Sequence, residues 1–240
     1  PQAAIKRSLQ RAGPTLTVAG RQYNLDRYKR VLVVGGGKAG APMAHAVEEV
    51  LGDEITAGLV NVKYGYGGPT KVIEIVQAGH PIPDDKSVAG TRKMIDLLSE
   101  ADEQTLVIAL ISGGGSALMV APVEGVTLAD KRKLTDRLLR SGANINEMNT
   151  VRKHLSLVKG GGLARLAAPA DIITLLVSDV IGSPLDVIAS GPTVPDTSTF
   201  QDAWNVLEHN GLTDDLPPSI RHHLEAGLRG EIPDTPKPGD

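Results

Sequence analysis

Two stretches constrain this chain more than any others: VLVVGGGKAG at residues 31–40 and TLVIALISGGGSALM at 105–119. Each is a run of apolar, largely β-branched residues that leads into three glycines, directly in the first stretch and through Ser112 in the second. A run that is apolar at every position, rather than at alternate ones, suits a strand buried on both faces, as in a parallel sheet covered by helices. Further strands are expected at 57–62, 71–79 and 171–180. Helical spacing covers 39–51, 87–101 with Asp84 or Asp85 as its cap, 130–142, 199–211, and 145–168 with a break near Gly160–Gly162. A first helix is predicted over 3–13, followed by a small extended piece at 15–28. Strands alternating with helices predict a three-layer, Rossmann-like α/β domain with a mostly parallel sheet. In such a sheet functional loops gather beyond the carboxyl ends of the strands. The glycine clusters are therefore expected to share one site.

Composition narrows the function. Lys and Arg number 25 against 28 Asp and Glu, a formal net charge of −3 with no basic stripe. That argues against nucleic-acid binding, which needs a cationic footprint to displace counterions from the phosphates. The absence of cysteine excludes disulfides, thiolate metal sites and cysteine nucleophiles. No stretch is long and apolar enough for a membrane span, and no signal-peptide pattern stands at the start, so the expectation is a soluble cytoplasmic protein with no membrane partner. Pro233, Pro236 and Pro238 stiffen the last residues, which suits either a frayed tail or a linker.

Gly35, Gly37 and Gly40 spell G-x-G-x-x-G, the dinucleotide-binding spacing. That reading also needs an acid near the end of the second strand, and the sequence there is Val60-Asn61-Val62-Lys63. A Walker A loop fails as well, because Ala39 rather than a hydroxyl residue follows Lys38. What remains is a strand-to-helix turn at Gly35, Gly36 and Gly37 whose amides suit an anion, with Lys38 adding a positive charge. The alternative is that these glycines only permit a tight turn and close helix packing.

SGGGS places Ser112 and Ser116 on either side of Gly113, Gly114 and Gly115, as phosphate or nucleotide contacts; Ser116 suits a helix cap or a ligand donor. NINEMNTVRKHLSLVKGGG gathers Asn149, Arg152, Lys153, His154 and Lys159, with Asn149, Arg152 and Lys153 on one helical face. Amides and cations before a glycine break point to an anionic substrate, and Arg152 offers a bidentate fork for a carboxylate or phosphate; a solvated helix face is the plainer alternative. His154 and His80 have no second ligand at metal spacing and are read as core or hydrogen-bonding histidines. Asp179 ends a hydrophobic strand, where an acid can carry a divalent cation, accept a proton, or cap a turn.

GGGKAG, HPIPDD, SGGGSALM, NTVRKHLSLVKGGGLA, SDVIG and IASGPTVPDTSTF stand in this order over residues 1–220. Together they resemble the N-terminal domain of the glycerate 2-kinase family, some members of which are labelled hydroxypyruvate reductases. The resemblance implies ATP-dependent phosphorylation of D-glycerate to 2-phosphoglycerate with Mg2+ as the divalent cation. It carries the family's loop lysine onto Lys38, its serine-glycine loop onto Ser112–Ser116, its N-T-x-R-K-x-L-S segment onto Asn149–Ser156 and its S-D-V strand end onto Ser178–Val180. Where the family pattern continues Gly-Asp, this chain has Gly182-Ser183, so Asp186 is expected to supply the missing acid beside Asp179. Catalysis would rest on Lys38 and Asp179, and substrate binding on Ser116, Asn149, Arg152 and Lys159. The implied organisation is a domain over 1–230 and a linker from 231 to 240 leading to a C-terminal partner domain, with self-association left open. Two rival readings remain: an NAD(P)-dependent hydroxypyruvate reductase and a non-catalytic anion-binding module.

Overall fold

The computed structural model describes residues 1–178 and 185–240, which form two compact units. Residues 1–119 and 166–178 make the first, and 120–165 with 185–240 the second.

The first unit is built on five parallel strands, β4 (Arg30–Gly36), β5 (Ala57–Lys63), β6 (Ile73–Ala78), β7 (Thr105–Ser112) and β8 (Asp171–Val177), in the order β6-β5-β4-β7-β8. β7 is buried at all eight positions and β4 at all but the first, as expected for the two apolar runs. Two main helices cover opposite faces. On α2 (Gly40–Leu51) a Cβ at Gly40 would lie 2.6 Å from Val60 and 2.9 Å from Val62. On α3 (Asp85–Leu98) a Cβ at Gly90 would lie 2.2 Å from Asn61. Neighbouring residues of a strand point to opposite faces, so these contacts define the three layers. Sequence and structure agree on an α/β, Rossmann-like unit.

The amino-terminal expectation is corrected. The helix α1 (Gln2–Ser8) stops early, and β1 (Leu9–Ala12) pairs with β2 (Thr15–Val18), which pairs with β3 (Arg21–Asn24), in a small antiparallel sheet. Leu9 and Leu16 are fully buried in the core that also holds Met43 and Val47 of α2. Strand pairing and this burial override the helical spacing of residues 9–13.

A short helix, α4 (Gly115–Leu118), follows β7. The second unit is mainly helical: α5 (Leu128–Ser141), α6 (Ile145–His154), the short α7 (Gly162–Ala167) reaching the unit boundary, α8 (Phe200–His209) and α9 (Pro218–Leu228). Leu134, Leu138, Met148, Val151, Phe200, Leu207, Ile220 and Leu224 form its core. Reciprocal capping boxes start α3 (Asp84 with Ser87), α5 (Thr127 with Asp130), α6 (Asn144 with Glu147) and α8 (Thr199 with Asp202). Each satisfies two backbone groups that a helix start leaves orphaned. The break in the long predicted helix comes at Leu155, ahead of the glycines. Among the described residues no helix is long and apolar enough to cross a membrane.

One carboxylate fixes the approach to β6. Glu48 on α2 accepts the backbone N–H groups of Lys71, Val72 and Ile73 at 2.8–3.0 Å. Burial alone would raise its carboxyl pKa, but these three bonds outweigh it and hold the group below the ordinary glutamate value. Its contribution is therefore full above that ordinary value and lost as pH falls through the depressed one. Glu48→Gln is expected to cost about 1–3 kcal/mol in urea unfolding at neutral pH, with the difference shrinking in acid.

Candidate active site

The strand order reverses at β4, so the crevice for a ligand in the first unit lies beyond the carboxyl ends of β4 and β7. Both glycine clusters are there. A Cβ on Gly35 would fall 2.0 Å from Leu110 O, and one on Gly37 would fall 2.1 Å from Ser112 Oγ. The glycines are required because the two strand ends touch through their backbones.

The amides of the first turn are spent in making that contact. Gly37 donates to Asn61 O at 3.0 Å, Lys38 to Gly113 O at 2.8 Å, and Ala39 to Ser112 Oγ at 3.0 Å. Ser112 is buried and takes the capping role for α2, whose own N-cap residue, Ala39, provides no side-chain bond. Of this turn, the partly exposed Lys38 side chain is the group suited to reach a ligand. It starts at the amino end of a twelve-residue helix, where the dipole also favours negative charge.

Gly114 has φ +87°, and a Cβ there would lie 2.9 Å from the His80 ring and 3.4 Å from Lys38 Cγ. His80 thus packs against the second glycine loop beside Lys38. Burial lowers its pKa, and the charges of Lys38 and Lys63 lower it further, so the ring is neutral at physiological pH. His80 and Lys63 were not among the residues expected at the site, although HPIPDD stood out in the sequence. Ser116 is half-buried as the second residue of α4, whose N-cap is Gly114; Ser116 therefore does not cap the helix. Asn61, where a dinucleotide site would need an acid, is fully buried and donates to Ser87 O, Thr91 Oγ1 and Leu118 O.

In the second unit, α6 carries the residues expected to meet an anion. Asn149 is buried; Ser190 Oγ donates to its Oδ1 at 3.0 Å, which turns Nδ2 the other way, where it has no hydrogen-bond partner. Arg152, one turn on, has no hydrogen bond or ion pair among the described residues, and burial lowers its pKa. Lys159 is buried, and burial followed by the charges of Lys131 and Arg152 pushes its pKa well down. Ser190 itself sits at φ +63° after Ala189 at φ +52°, in a turn whose carbonyl at Ser190 accepts Gly160 N–H at 2.9 Å. Two non-glycine residues in that region are a strain of the kind that accumulates at functional sites.

Two neighbours do other work. Lys153 pairs with buried Asp196 at 3.2 Å, and Thr235 Oγ1 donates to the same carboxylate at 3.0 Å, so the residues expected to begin a linker pack onto this unit. Burial would raise the Asp196 pKa, but bonds from Ser198 and the Lys153 charge bring it below the ordinary value. His154 is buried against Phe200, with ring nitrogens 2.8 Å from Thr150 O and 2.9 Å from Asp234 Oδ1, which agrees with a core, hydrogen-bonding histidine. Asp179 lies outside the described residues. Asp186 is exposed, and no cluster of three or more potential metal ligands occurs among the described residues.

The strand order and the loops at its switch point define a doubly wound α/β unit. The chain belongs to the glycerate 2-kinase family, corresponding to its N-terminal domain: the family model described as a domain of unknown function, DUF4147, matches residues 1–225. It is 44% identical over 237 residues to the glycerate 2-kinase of Pyrococcus horikoshii, covering 99% of this chain and 53% of that protein. A crystal structure of a P. horikoshii protein matches with a TM-score of 0.94 at 44% identity, over 99% of this chain and 53% of the other. The crystal structure of a Thermotoga maritima glycerate kinase matches with a TM-score of 0.80 at 47% identity, over 87% and 48%. The chain thus spans about half the length of these relatives.

The backbone contact is testable by adding one methyl group. Gly37→Ala is expected to destabilise the protein by about 1–3 kcal/mol or to prevent folding, through overpacking at Ser112. Gly68→Ala, whose Cβ would meet only Ala41 at 3.6 Å, is expected to leave the urea midpoint nearly unchanged.

Proposed function

We propose that this chain is the N-terminal part of an ATP-dependent glycerate 2-kinase. The observation that carries the reading is Lys38, held at the sheet's switch point by the bond between its own amide and Gly113 O. The likeness to glycerate kinases across nearly the whole chain supports it. In the reaction, the 2-hydroxyl oxygen of D-glycerate forms a bond to the γ-phosphorus of ATP while the bond to the β,γ-bridging oxygen breaks. The products are 2-phosphoglycerate and ADP, and the hydroxyl proton passes to a base. Phosphoryl transfer asks little covalent chemistry of a protein, so positioning and charge neutralisation dominate.

Lys38, with Lys63 nearby, offsets charge on the phosphoryl oxygens, and Ser116 with the Gly113–Gly115 turn lines their path. Neutral His80 supports the loop and adds no charge of its own. Arg152 and Lys159 take the carboxylate of the acidic substrate, and Asn149 Nδ2 donates to one of its oxygens. The groups of the first unit fit a nucleotide polyphosphate, and those of the second fit a carboxylate. Mg2+ bound with a nucleotide needs only one or two protein carboxylates. Asp179 and Asp186 are proposed for it, and when bound it would neutralise phosphate charge. Asp179 is equally the proposed proton acceptor. The reductase reading finds no support at the end of β5, where the Asn61 amide is committed to the interior.

The test measures D-glycerate-dependent ADP release by a protein extended to the full length of the relatives. Lys38→Ala in that protein is expected to lower kcat by about 10²-fold or more with folding intact. No glycerate-dependent ADP release by the extended protein refutes the kinase reading, and NADH oxidation without ATP supports the reductase instead.

A further inference from the structure

Three cations of the second unit stand within electrostatic reach of one another: Lys131 on α5, Arg152 on α6 and Lys159 in the turn after α6. Lys131 is 9% exposed and Lys159 3% exposed, so neither charge is relieved by bulk water. Lys131 spends one ammonium hydrogen on Leu155 O at 2.7 Å, a bond that aims its head at the carboxyl end of α6. Arg152 stands without a hydrogen bond or ion pair among the described residues, and Asn149 Nδ2, one turn earlier, is buried without a partner. Like charges gathered beside unpaired donors are unfavourable in an empty protein and favourable around an oxyanion.

We propose that Lys131 is a third cation, beside Arg152 and Lys159, of a small oxyanion pocket in the second unit, and that an anion enters it together with a proton taken up by the lysines. This deepens the reading above, which gave Arg152 and Lys159 to the acidic substrate, and it adds a residue and a linkage that the sequence did not suggest. The physical basis is mutual. Burial, and then the Arg152 charge, bring the Lys131 pKa down to about 7, so near neutrality the ammonium is only partly populated. An anion among the three groups favours their charged forms, which draws a proton from solvent. The groups facing Lys131 are Arg152 from α6, Lys159 from the following turn and His223 from α9. Burial, helped by nearby positive charge, lowers the His223 pKa against the raising effect of the hydrogen bond its Nε2 donates to His154 O at 3.0 Å, which favours its neutral form.

Sulfate is the probe, because it does not titrate near neutrality and binds independently of turnover. Calorimetric titration of the purified chain in two buffers of different protonation enthalpy is expected to report proton uptake with sulfate binding. Affinity is expected to fall about tenfold per pH unit at most as pH rises through neutrality. Lys131→Arg keeps a permanent charge and is expected to bind sulfate with much of that pH dependence gone. Lys131→Met removes the charge at similar length and is expected to weaken sulfate severalfold, with a normal thermal melt. Displacement of sulfate by D-glycerate marks a carboxylate subsite, and displacement by ADP marks a phosphate subsite. Sulfate binding without proton uptake, a Lys131→Arg protein that titrates like the original, or no binding below neutral pH each overturns the proposal. None of these outcomes depends on kinase activity, so failure here is distinct from failure of the kinase reading.

Discussion

The first unit depends on one close approach, the meeting of β4 and β7 through bare backbone at Gly35 and Gly37. Side chains at these positions would hold the strand ends apart, and the bonds from Lys38 to Gly113 and from Ala39 to Ser112 would be lost. Those bonds convert two flexible glycine sequences into one rigid ledge. Lys38 gains its position from them, and α2 gains the start that its own first residues do not provide. In many glycine-rich loops the amides themselves meet the ligand. Here they hold the ledge together.

The second unit solves a different problem, how to hold Asn149 Nδ2 and Arg152 in a folded interior with no hydrogen-bond partner among the described residues. Asn149 cannot rotate its amide to satisfy Nδ2 without giving up the bond from Ser190. Ser190 is in turn held by a strained turn, with Ala189 and Ser190 at positive φ costing about 1–3 kcal/mol each. Lys153, next to Arg152 in sequence, is neutralised by Asp196. Adjacent cations on one helix thus differ: Lys153 is paired by the fold, and Arg152 has no hydrogen bond or ion pair among the described residues.

The sequence disclosed the architecture well, because runs such as 105–111 are buried on both faces and leave little alternative to a central parallel strand. It also singled out Asn149, Arg152 and Lys159 as candidates, since they lie close together in the chain. Lys131 escaped notice for a physical reason: in DKRKLTDRLLR a buried lysine has the same local pattern as solvated ones, and only packing against α6 distinguishes it. In the sequence His80 reads only as a core or hydrogen-bonding histidine, and its packing on the second glycine loop is not foreseen, since that loop is more than thirty residues away in sequence. Residues 9–13 misled because their spacing suits a helix, while the pairing partners that make them a strand follow later. The glycines themselves were ambiguous between ligand contact and close packing, and distances to Leu110 and Ser112 were needed to reveal the packing role.

The central pair of the sheet has a further consequence for how the molecule comes into being. β4 and β7 are neighbours in space, yet β5, β6 and two helices lie between them along the chain. Pairings so remote in sequence must close a long loop before any contact rewards them, which slows their formation. The ledge that carries Lys38 therefore cannot take shape during synthesis until Ser112 has emerged. The ledge thus arrives late, as a report that the sheet has already assembled in the right order.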